Sequence, residues 1–247
     1  MPDRDDLPQP PGTATGLLTG LPLGLPHALA APSRMSLARL FGEAGTELDE
    51  VLVLLAECGV TDPAALPVGL LDRVLLLAHR AVLGHDLEVV ARCTGCGELN
   101  ELPLGADDVP PYEPRWAWCG PGAGVREPVA TDLAGLPADA AEAGAELLRR
   151  CAVGPAAHRV RDETALDVAE QSLCGQVQVA CVRCSGPVSL VVDVQHLVVS
   201  AVARAVADVD VEVHLIASRY GWDLATIEAL PERRRVRLAA LAGGGAP

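Results

Sequence analysis

Two patterns of apolar and polar residues alternate along the chain, and together they predict an α+β fold. In most segments apolar residues recur every three or four positions, as they do on the buried face of a helix. In residues 87–104 and 177–194, apolar and polar residues instead alternate one by one, which indicates strands. The chain is therefore expected to be mostly helical, with a zinc-ribbon-like small antiparallel β-sheet formed by two Cys-x-x-Cys hairpins.

Capping residues define the expected helix boundaries. Ser36 is expected to cap the first helix, and Thr46, with Asp49 three residues later, resembles a capping box. Gly84 is expected to end the third helix, and Gly221 can end the long helix in the left-handed conformation. The predicted helices are 36–41, 46–59, 68–84, 131–134, 138–151, 163–173, 195–220, 223–230 and 231–242.

The long helix before Tyr220 has a competing interpretation. Residues 208–214 alternate with a period of two and are rich in valine, which favours a strand. A polar residue also recurs every fourth position through this region, and this stripe favours a helix. The helical interpretation is preferred because the stripe extends on both sides of 208–214. The stripe consists of Ser200, Arg204, Asp208 and Glu212.

The expected organisation has three parts. Residues 1–34 are rich in proline and glycine and predict a disordered arm or an arm that docks on a partner. Residues 35–194 form a helical body with a split zinc ribbon, and 195–247 form a long helix with a helical tail. The ribbon halves are 86–104 and 176–194, and the insertion between them is 105–175.

Within the insertion, the aromatic residues and one valine-rich segment carry separate predictions. Tyr112, Trp116 and Trp118 lie in a predicted Gly/Pro-rich loop, where they form either a plug for the ribbon or an interaction patch. The plug is the preferred interpretation. Residues 125–129 predict an edge strand that Pro128 interrupts.

Composition and charge limit the possible functions. The net charge of −14 disfavours a protein that mainly binds nucleic acid, because the phosphate backbone is negative as well. Every basic residue is arginine, and together with abundant alanine, glycine, proline and valine this favours a high-GC bacterial or phage genome. Charged residues interrupt each apolar run, so no membrane span is expected. Eight cysteines in 247 residues suit a reducing compartment, and we expect the bacterial cytoplasm.

The two Cys-x-x-Cys pairs are the most specific chemical feature. Cys93 and Cys96 form the first pair, and Cys181 and Cys184 form the second; each pair lies between two strand-like segments. This arrangement is typical of the two halves of a zinc ribbon. Four thiolates fill a tetrahedral shell and leave no position for water, so we predict one structural Zn²⁺ per chain. A redox pair, or knuckles without metal, remain alternatives.

The remaining titratable residues do not predict an enzyme. The histidines are solitary, and the sequence contains no Gly-x-Ser-x-Gly, phosphate-binding glycine loop or His-Glu-x-x-His motif. Cys58, Cys151 and Cys174 lie in apolar runs and are expected to be buried, whereas Cys119 has no predicted role. We therefore expect a non-enzymatic protein.

The order of these features resembles a known family. The paired knuckles are followed by Ala217-Ser-x-Tyr220-Gly221-Trp222 and by Ile227-x-x-Leu230-x-x-x-Arg234-Arg235. This order resembles the small baseplate protein family of contractile phage tails, which is similar to the T-even phage baseplate hub assembly protein. The resemblance covers about residues 36–242. It implies assembly of a baseplate or hub of a phage-tail-like contractile injection system through contacts with wedge, hub or spike proteins.

The C-terminal tail contains the candidate partner-binding residues. An arginine cluster on an acidic chain is either a docking face for an acidic partner or the solvated face of a helix. The alternative function is a zinc-ribbon adaptor that binds nucleic acid or a transcription complex. The candidate docking residues are Tyr220, Trp222, Arg233, Arg234, Arg235 and Arg237.

Overall fold

The computed structural model describes residues 29–244, and helices account for about half of it. The predicted arm, residues 1–34, therefore lies almost entirely outside the described residues. The helices are α1 (Arg34–Glu43), α2 (Glu47–Glu57), α3 (Val68–Leu83), α4 (Ala130–Leu133), α5 (Ala140–Cys151), α6 (Thr164–Ala169), α7 (Val194–Tyr220), α8 (Leu224–Glu228) and α9 (Glu232–Ala242). The strands are β1 (Leu87–Arg92), β2 (Leu99–Leu104), β3 (Trp116–Gly120), β4 (Ala123–Arg126), β5 (Ala152–Val153), β6 (Gly175–Ala180) and β7 (Pro187–Val192). The α+β class is confirmed.

The first two helices show how local side-chain bonds set the boundaries. The Ser33 hydroxyl, and not that of Ser36, caps α1 by accepting a hydrogen bond from the Ser36 N–H at 3.0 Å. The Ser36 hydroxyl is used elsewhere, since it donates to Glu57 of α2 at 2.7 Å. The predicted cap of α2 is confirmed, because the Thr46 hydroxyl accepts from the Asp49 N–H.

The main core is built by α1, α2, α3 and the first half of α7, with β1 and β7 against it. Helix α3 is buried along most of its length and ends at Gly84, as predicted, where the backbone takes the left-handed conformation. Helix α7 has 27 residues and is therefore about 40 Å long. It includes 208–214, so the strand interpretation of that segment is wrong. Only its first half lies in the main core; the second half packs against α8 and α9.

The insertion has a small core of its own. Strands β3, β4 and β5 form an antiparallel sheet with β4 in the centre, and α5 and α6 cover it. The prediction of an edge strand at 125–129 is therefore wrong, since Val125 lies on the central strand and is fully buried. Trp116 and Trp118 lie on strand β3 and not in a loop. Their rings contact each other edge to face. They pair with β4 and do not plug the hairpins.

Buried polar groups on α3 attach the insertion to the main core. The Asp72 carboxylate is fully buried and accepts hydrogen bonds from the Leu173 N–H at 2.7 Å, from Gln195 and from Ser172. Burial raises the pKa of this carboxyl. Its three donors come from both sides of the second hairpin, so a single buried carboxylate links α3, the end of the insertion and α7.

A second buried carboxylate, that of Glu127, links the insertion to the preceding turn of α3. Glu127, which follows β4, accepts from the Gly69 N–H at 2.8 Å and from the Tyr112 hydroxyl at 2.6 Å. Burial raises the pKa of the Glu127 carboxyl, and it also raises the pKa of Tyr112. Tyr112 thus belongs to the contact between the insertion and α3. It forms neither the ribbon plug nor an exposed patch.

The C-terminal helices form a small cluster around the end of α7. Gly221 ends α7 in the left-handed conformation, as predicted, and Asp223 caps α8. Ile216, Ile227 and Ala239 are buried together in this cluster. Among residues 29–244, no helix combines the length and apolarity that crossing a membrane requires.

Candidate metal centre

Two hairpins of the same design bring four cysteines together. Strands β1 and β2 pair antiparallel from Leu87 opposite Leu104 to Arg92 opposite Leu99, and β6 and β7 pair in the same way. β1 lies against β7, but the hairpins remain two separate two-stranded sheets. The single ribbon-like sheet of the prediction is therefore wrong, because no ladder hydrogen bonds join the hairpins.

The cysteine sulfurs form a compact cluster at the turns of these hairpins. All four Sγ atoms, from Cys93, Cys96, Cys181 and Cys184, lie within 4.8 Å of one another. The Cys93 and Cys184 sulfurs are 3.7 Å apart, and the Cys96 and Cys181 sulfurs are 3.6 Å apart. These distances are far longer than the about 2.05 Å of a disulfide. The predicted four residues thus do meet, although Cys96 and Cys181 are 85 positions apart in sequence, and the cluster could bind a metal ion.

Each turn is held by the same pattern of backbone hydrogen bonds. In the first knuckle, residues 93–98, the Cys93 N–H donates to the Glu98 carbonyl and the Gly97 N–H donates to the Cys93 carbonyl. The second knuckle, residues 181–186, repeats both bonds at the same offsets. The fifth residue has a positive φ in both, +77° at Gly97 and +58° at Ser185. Glycine adopts this conformation readily, whereas a serine there is strained.

This asymmetry predicts opposite effects for two reciprocal substitutions. Ser185→Gly is expected to raise the free energy of unfolding by about 0.5 kcal/mol, and Gly97→Ser to lower it by about 1 kcal/mol. A Cβ at Gly97 would meet no atom within 4 Å, so the expected loss comes from φ alone and not from a clash. Urea denaturation of the metal-loaded protein measures both. Equal effects of the two substitutions would contradict the positive-φ explanation.

The thiol pKa values of Cys181 and Cys96 are shifted in opposite directions. The backbone N–H groups of Cys184 and Arg183 donate to the Cys181 sulfur and lower the pKa of this thiol to about 6. At Cys96 the Glu98 N–H lowers the pKa, but desolvation and the neighbouring sulfurs outweigh it and raise the pKa to about 12. The raised pKa of Cys96 shows that a second negative charge beside the other sulfurs is unfavourable without a cation, and the thiolate is the form that binds metal.

Asn100 of β2 connects the two knuckles and was not predicted as a site residue. Its side chain is 1% exposed. Its amide group donates to the Glu98 carbonyl at 3.1 Å, and its Oδ1 accepts from the Val182 N–H of the second knuckle at 2.9 Å. One buried amide thus fixes the position of one knuckle relative to the other. A buried asparagine in a strand whose inward positions are otherwise apolar was the only sequence signal for this role.

Substitution of Asn100 is expected to weaken metal binding without removing a ligand. Asn100→Leu keeps the side-chain size but leaves the Val182 N–H without its acceptor, so the knuckles lose their fixed spacing. We expect a loss of about 10- to 100-fold in metal affinity, as for other residues that orient metal ligands. Competition with a chromophoric chelator measures the metal affinity of the variant and of the wild type. Gln176→Leu, at an exposed amide on β6, serves as the control that should bind metal like the wild type.

Charged groups surround the cluster at the surface. Arg92 donates to the Gly97 carbonyl at 2.7 Å, and Arg183 lies 3.4 Å from the Glu98 carboxylate of the other knuckle. The Arg183–Glu98 pair is exposed and therefore contributes little to stability. The first cysteine of each knuckle is buried, at 2% exposure for both Cys93 and Cys181, so apolar groups and not charges form the inner side of the site.

The other four cysteines lie outside the cluster. Cys58 and Cys151 are buried as predicted, and burial raises their thiol pKa values to about 11 and about 12. Cys174 was expected to end an apolar helical run and to be buried, but it is exposed, since α6 already ends at Ala169 and Cys174 lies in the segment just before β6. Cys119 is exposed on β3.

The candidate docking residues separate into exposed and buried groups. Arg233, Arg234 and Arg237 are exposed on α9. Arg235 does not belong to this patch: it is 3% exposed and its Nε donates to Glu212 of α7 at 2.8 Å. Position 235 is on the side of α9 that faces α7, which explains its burial.

The two aromatic candidates lie at the junction between α7 and α8. Tyr220 is 39% exposed, and its ring lies 5.5 Å from that of Trp222. Trp222 is half-buried and packs against the small C-terminal core.

Comparison of the chain with protein-family models, curated proteins and solved structures found no match.

Proposed function

We propose that the four-cysteine cluster holds one structural Zn²⁺ ion. A tetrahedral zinc site with Zn–S bonds of about 2.3 Å places its sulfurs about 3.8 Å apart. Two of the sulfur–sulfur distances, 3.6 and 3.7 Å, support this ion. Four protein ligands complete the shell, so the ion would supply cross-linking between the hairpins and no open position for a substrate.

Metal analysis of the purified chain tests this proposal. We expect one zinc per chain and a colourless protein, since Zn²⁺ has a filled d shell. Four thiolates also suit iron, which would give visible absorption and would contradict the zinc assignment. A protein without bound metal at neutral pH would contradict a structural metal altogether.

We infer that the whole chain acts as a non-enzymatic assembly or structural protein of a phage-tail-like contractile injection system. The order of knuckles, Tyr220-Gly221-Trp222 motif and arginine-rich tail supports this function through its resemblance to the baseplate family. The C-terminal end of α7 supports it further, because Tyr220 and the three exposed arginines of α9 belong to the same small cluster of helices. Its partners would be baseplate wedge, hub or spike proteins with acidic docking surfaces, met in the bacterial cytoplasm during assembly.

Charge reversal on α9 tests the docking face. Arg233→Glu with Arg234→Glu is expected to abolish co-purification with wedge, hub or spike proteins while the fold stays intact. Arg235 is left unchanged because it is buried. Arg159→Glu with Arg161→Glu, at two exposed arginines of the insertion, makes the same charge change and should keep the partner.

The alternative, a zinc-ribbon adaptor on nucleic acid, predicts different results. Genes for sheath, tube, spike and baseplate proteins would be absent from its gene neighbourhood. A DNA gel shift that weakens with salt would favour the adaptor, because phosphate contacts release counterions. The net charge of −14 opposes it.

A further inference from the structure

The two hairpins differ in how they protect their outer edges. Strand β2, the outer strand of the first hairpin, carries Glu101 and Pro103, and a charge and a proline both discourage pairing with a further strand. Strand β6, the outer strand of the second hairpin, has the sequence Gly-Gln-Val-Gln-Val-Ala with no charge and no proline. Five of its six residues are exposed. Its backbone pairs with β7 on one side, and no other strand among residues 29–244 pairs with its opposite side.

The charge distribution indicates what can approach this edge. The chain carries a net charge of −14, so two copies repel each other over most of their surfaces. The second hairpin is an exception, because none of the twelve residues in β6 and β7 is charged. An uncharged strand with alternating valine and glutamine is also self-complementary, since the same faces meet when two copies pair antiparallel.

We propose that β6 is a dimerisation edge, where two copies of this chain pair their β6 strands antiparallel around a two-fold axis. The product is a continuous four-stranded sheet in the order β7, β6, β6 and β7. With the axis at Gln178, Val177 of one copy lies opposite Val179 of the other, and Gln178 lies opposite its own copy. A single six-residue strand pair buries less than the about 1,200–2,000 Å² of a stable interface, so the dimer is weak and its dissociation constant is micromolar.

A matched pair of lysine substitutions tests the proposal. Gln178→Lys places two lysines directly opposite each other across the two-fold axis, with their Cβ atoms about 5 Å apart, so that their positive charges repel. Ser189→Lys adds the same charge to the same face, because Ser189 is the register partner of Gln178 on β7. Its two lysines would be three strand spacings apart, about 14 Å, where salt screens their repulsion.

Sedimentation velocity of the full-length, metal-loaded protein over a concentration series measures the outcome. The wild type and Ser189→Lys are expected to dimerise with similar constants, and Gln178→Lys to dissociate at least tenfold more readily. Metal content and circular dichroism confirm that each variant is folded. A wild type that stays monomeric up to high micromolar concentration would overturn the proposal. So would equal effects of the two lysines, or a Gln178→Lys variant that dimerises normally.

Discussion

Replacing Cys93 and Cys181 together with serine is expected to abolish metal binding and to lower the free energy of unfolding by several kcal/mol. These two cysteines are the buried members of the knuckles, so both hairpins lose their inner ligand. Zinc supplies on the order of 10 kcal/mol to isolated zinc-binding domains, where metal binding and folding are one process. The loss here is smaller, because Leu87, Val89 and Val192 keep both hairpins in contact with the main core.

Because the cysteine cluster is separate from the main core, the same double substitution should leave the helices folded. The main core contains α1, α2, α3 and α7 and none of the four cysteines, so far-UV circular dichroism should keep its helical signal. Cys119→Ser with Cys174→Ser is the matched control, since both thiols are exposed and outside the cluster. That control should retain one metal ion and wild-type stability. A Cys93/Cys181 variant that unfolds at the wild-type urea concentration would show that the cluster is not a stabilising metal site.

Breaking the buried ion pair between α7 and α9 is the second large effect that we expect. Glu212→Ala should lower the free energy of unfolding by about 3–5 kcal/mol, because it leaves the buried Arg235 guanidinium without its counter-charge. Arg34 of α1 lies 3.8 Å from the same carboxylate, so the change also weakens the contact between α1 and α7. The Arg235 Nη2 atom already has no hydrogen-bond partner among the described residues, so the pair is imperfectly satisfied.

A double variant separates the ion pair from simple packing. Glu212→Leu with Arg235→Met removes both charges and keeps apolar volume, and it should be as stable as the wild type or more so. Urea denaturation midpoints compare this double variant with the single variant Glu212→Ala. Glu146→Ala on α5, where the carboxylate pairs with two arginines at the surface, is the control and should change stability little. If Glu212→Ala were equally harmless, the pair would not be buried in solution.

Local chemistry explains which elements could be predicted. The Thr46 cap and the ends at Gly84 and Gly221 depend on residues within one helical turn, so the sequence contains all the interacting partners. The strands beside each knuckle follow from alternation, and thiol spacing within each Cys-x-x-Cys pair predicts the metal ligands. The stripe of polar residues at every fourth position correctly favoured a helix over a strand at 208–214. In each case the energy arises between neighbours in the chain.

Residues whose partners are distant in sequence were missed or assigned wrongly. Asn100 fixes the knuckles through the Val182 N–H, 82 positions away, and no local pattern marks that contact. Arg235 was grouped with its exposed neighbours because all are arginines, but only its position facing α7 buries it. Val125 lies on a central strand because β5, which follows α5 in the chain, pairs with β4 on its second side. The alternation of residue types does not specify how many neighbouring strands a strand has.

The sequence by itself determined the two knuckles, the four cysteines that they carry and the helices that flank them, because covalent spacing and backbone capping are short-range. Only the tertiary structure decided that the hairpins form two separate sheets, that one buried amide sets their spacing, and that one of the tail arginines is an internal ion-pair partner. Those features depend on which surfaces meet when apolar groups from distant segments are buried together. Burial is a property of the folded chain as a whole, so residue types alone do not specify it.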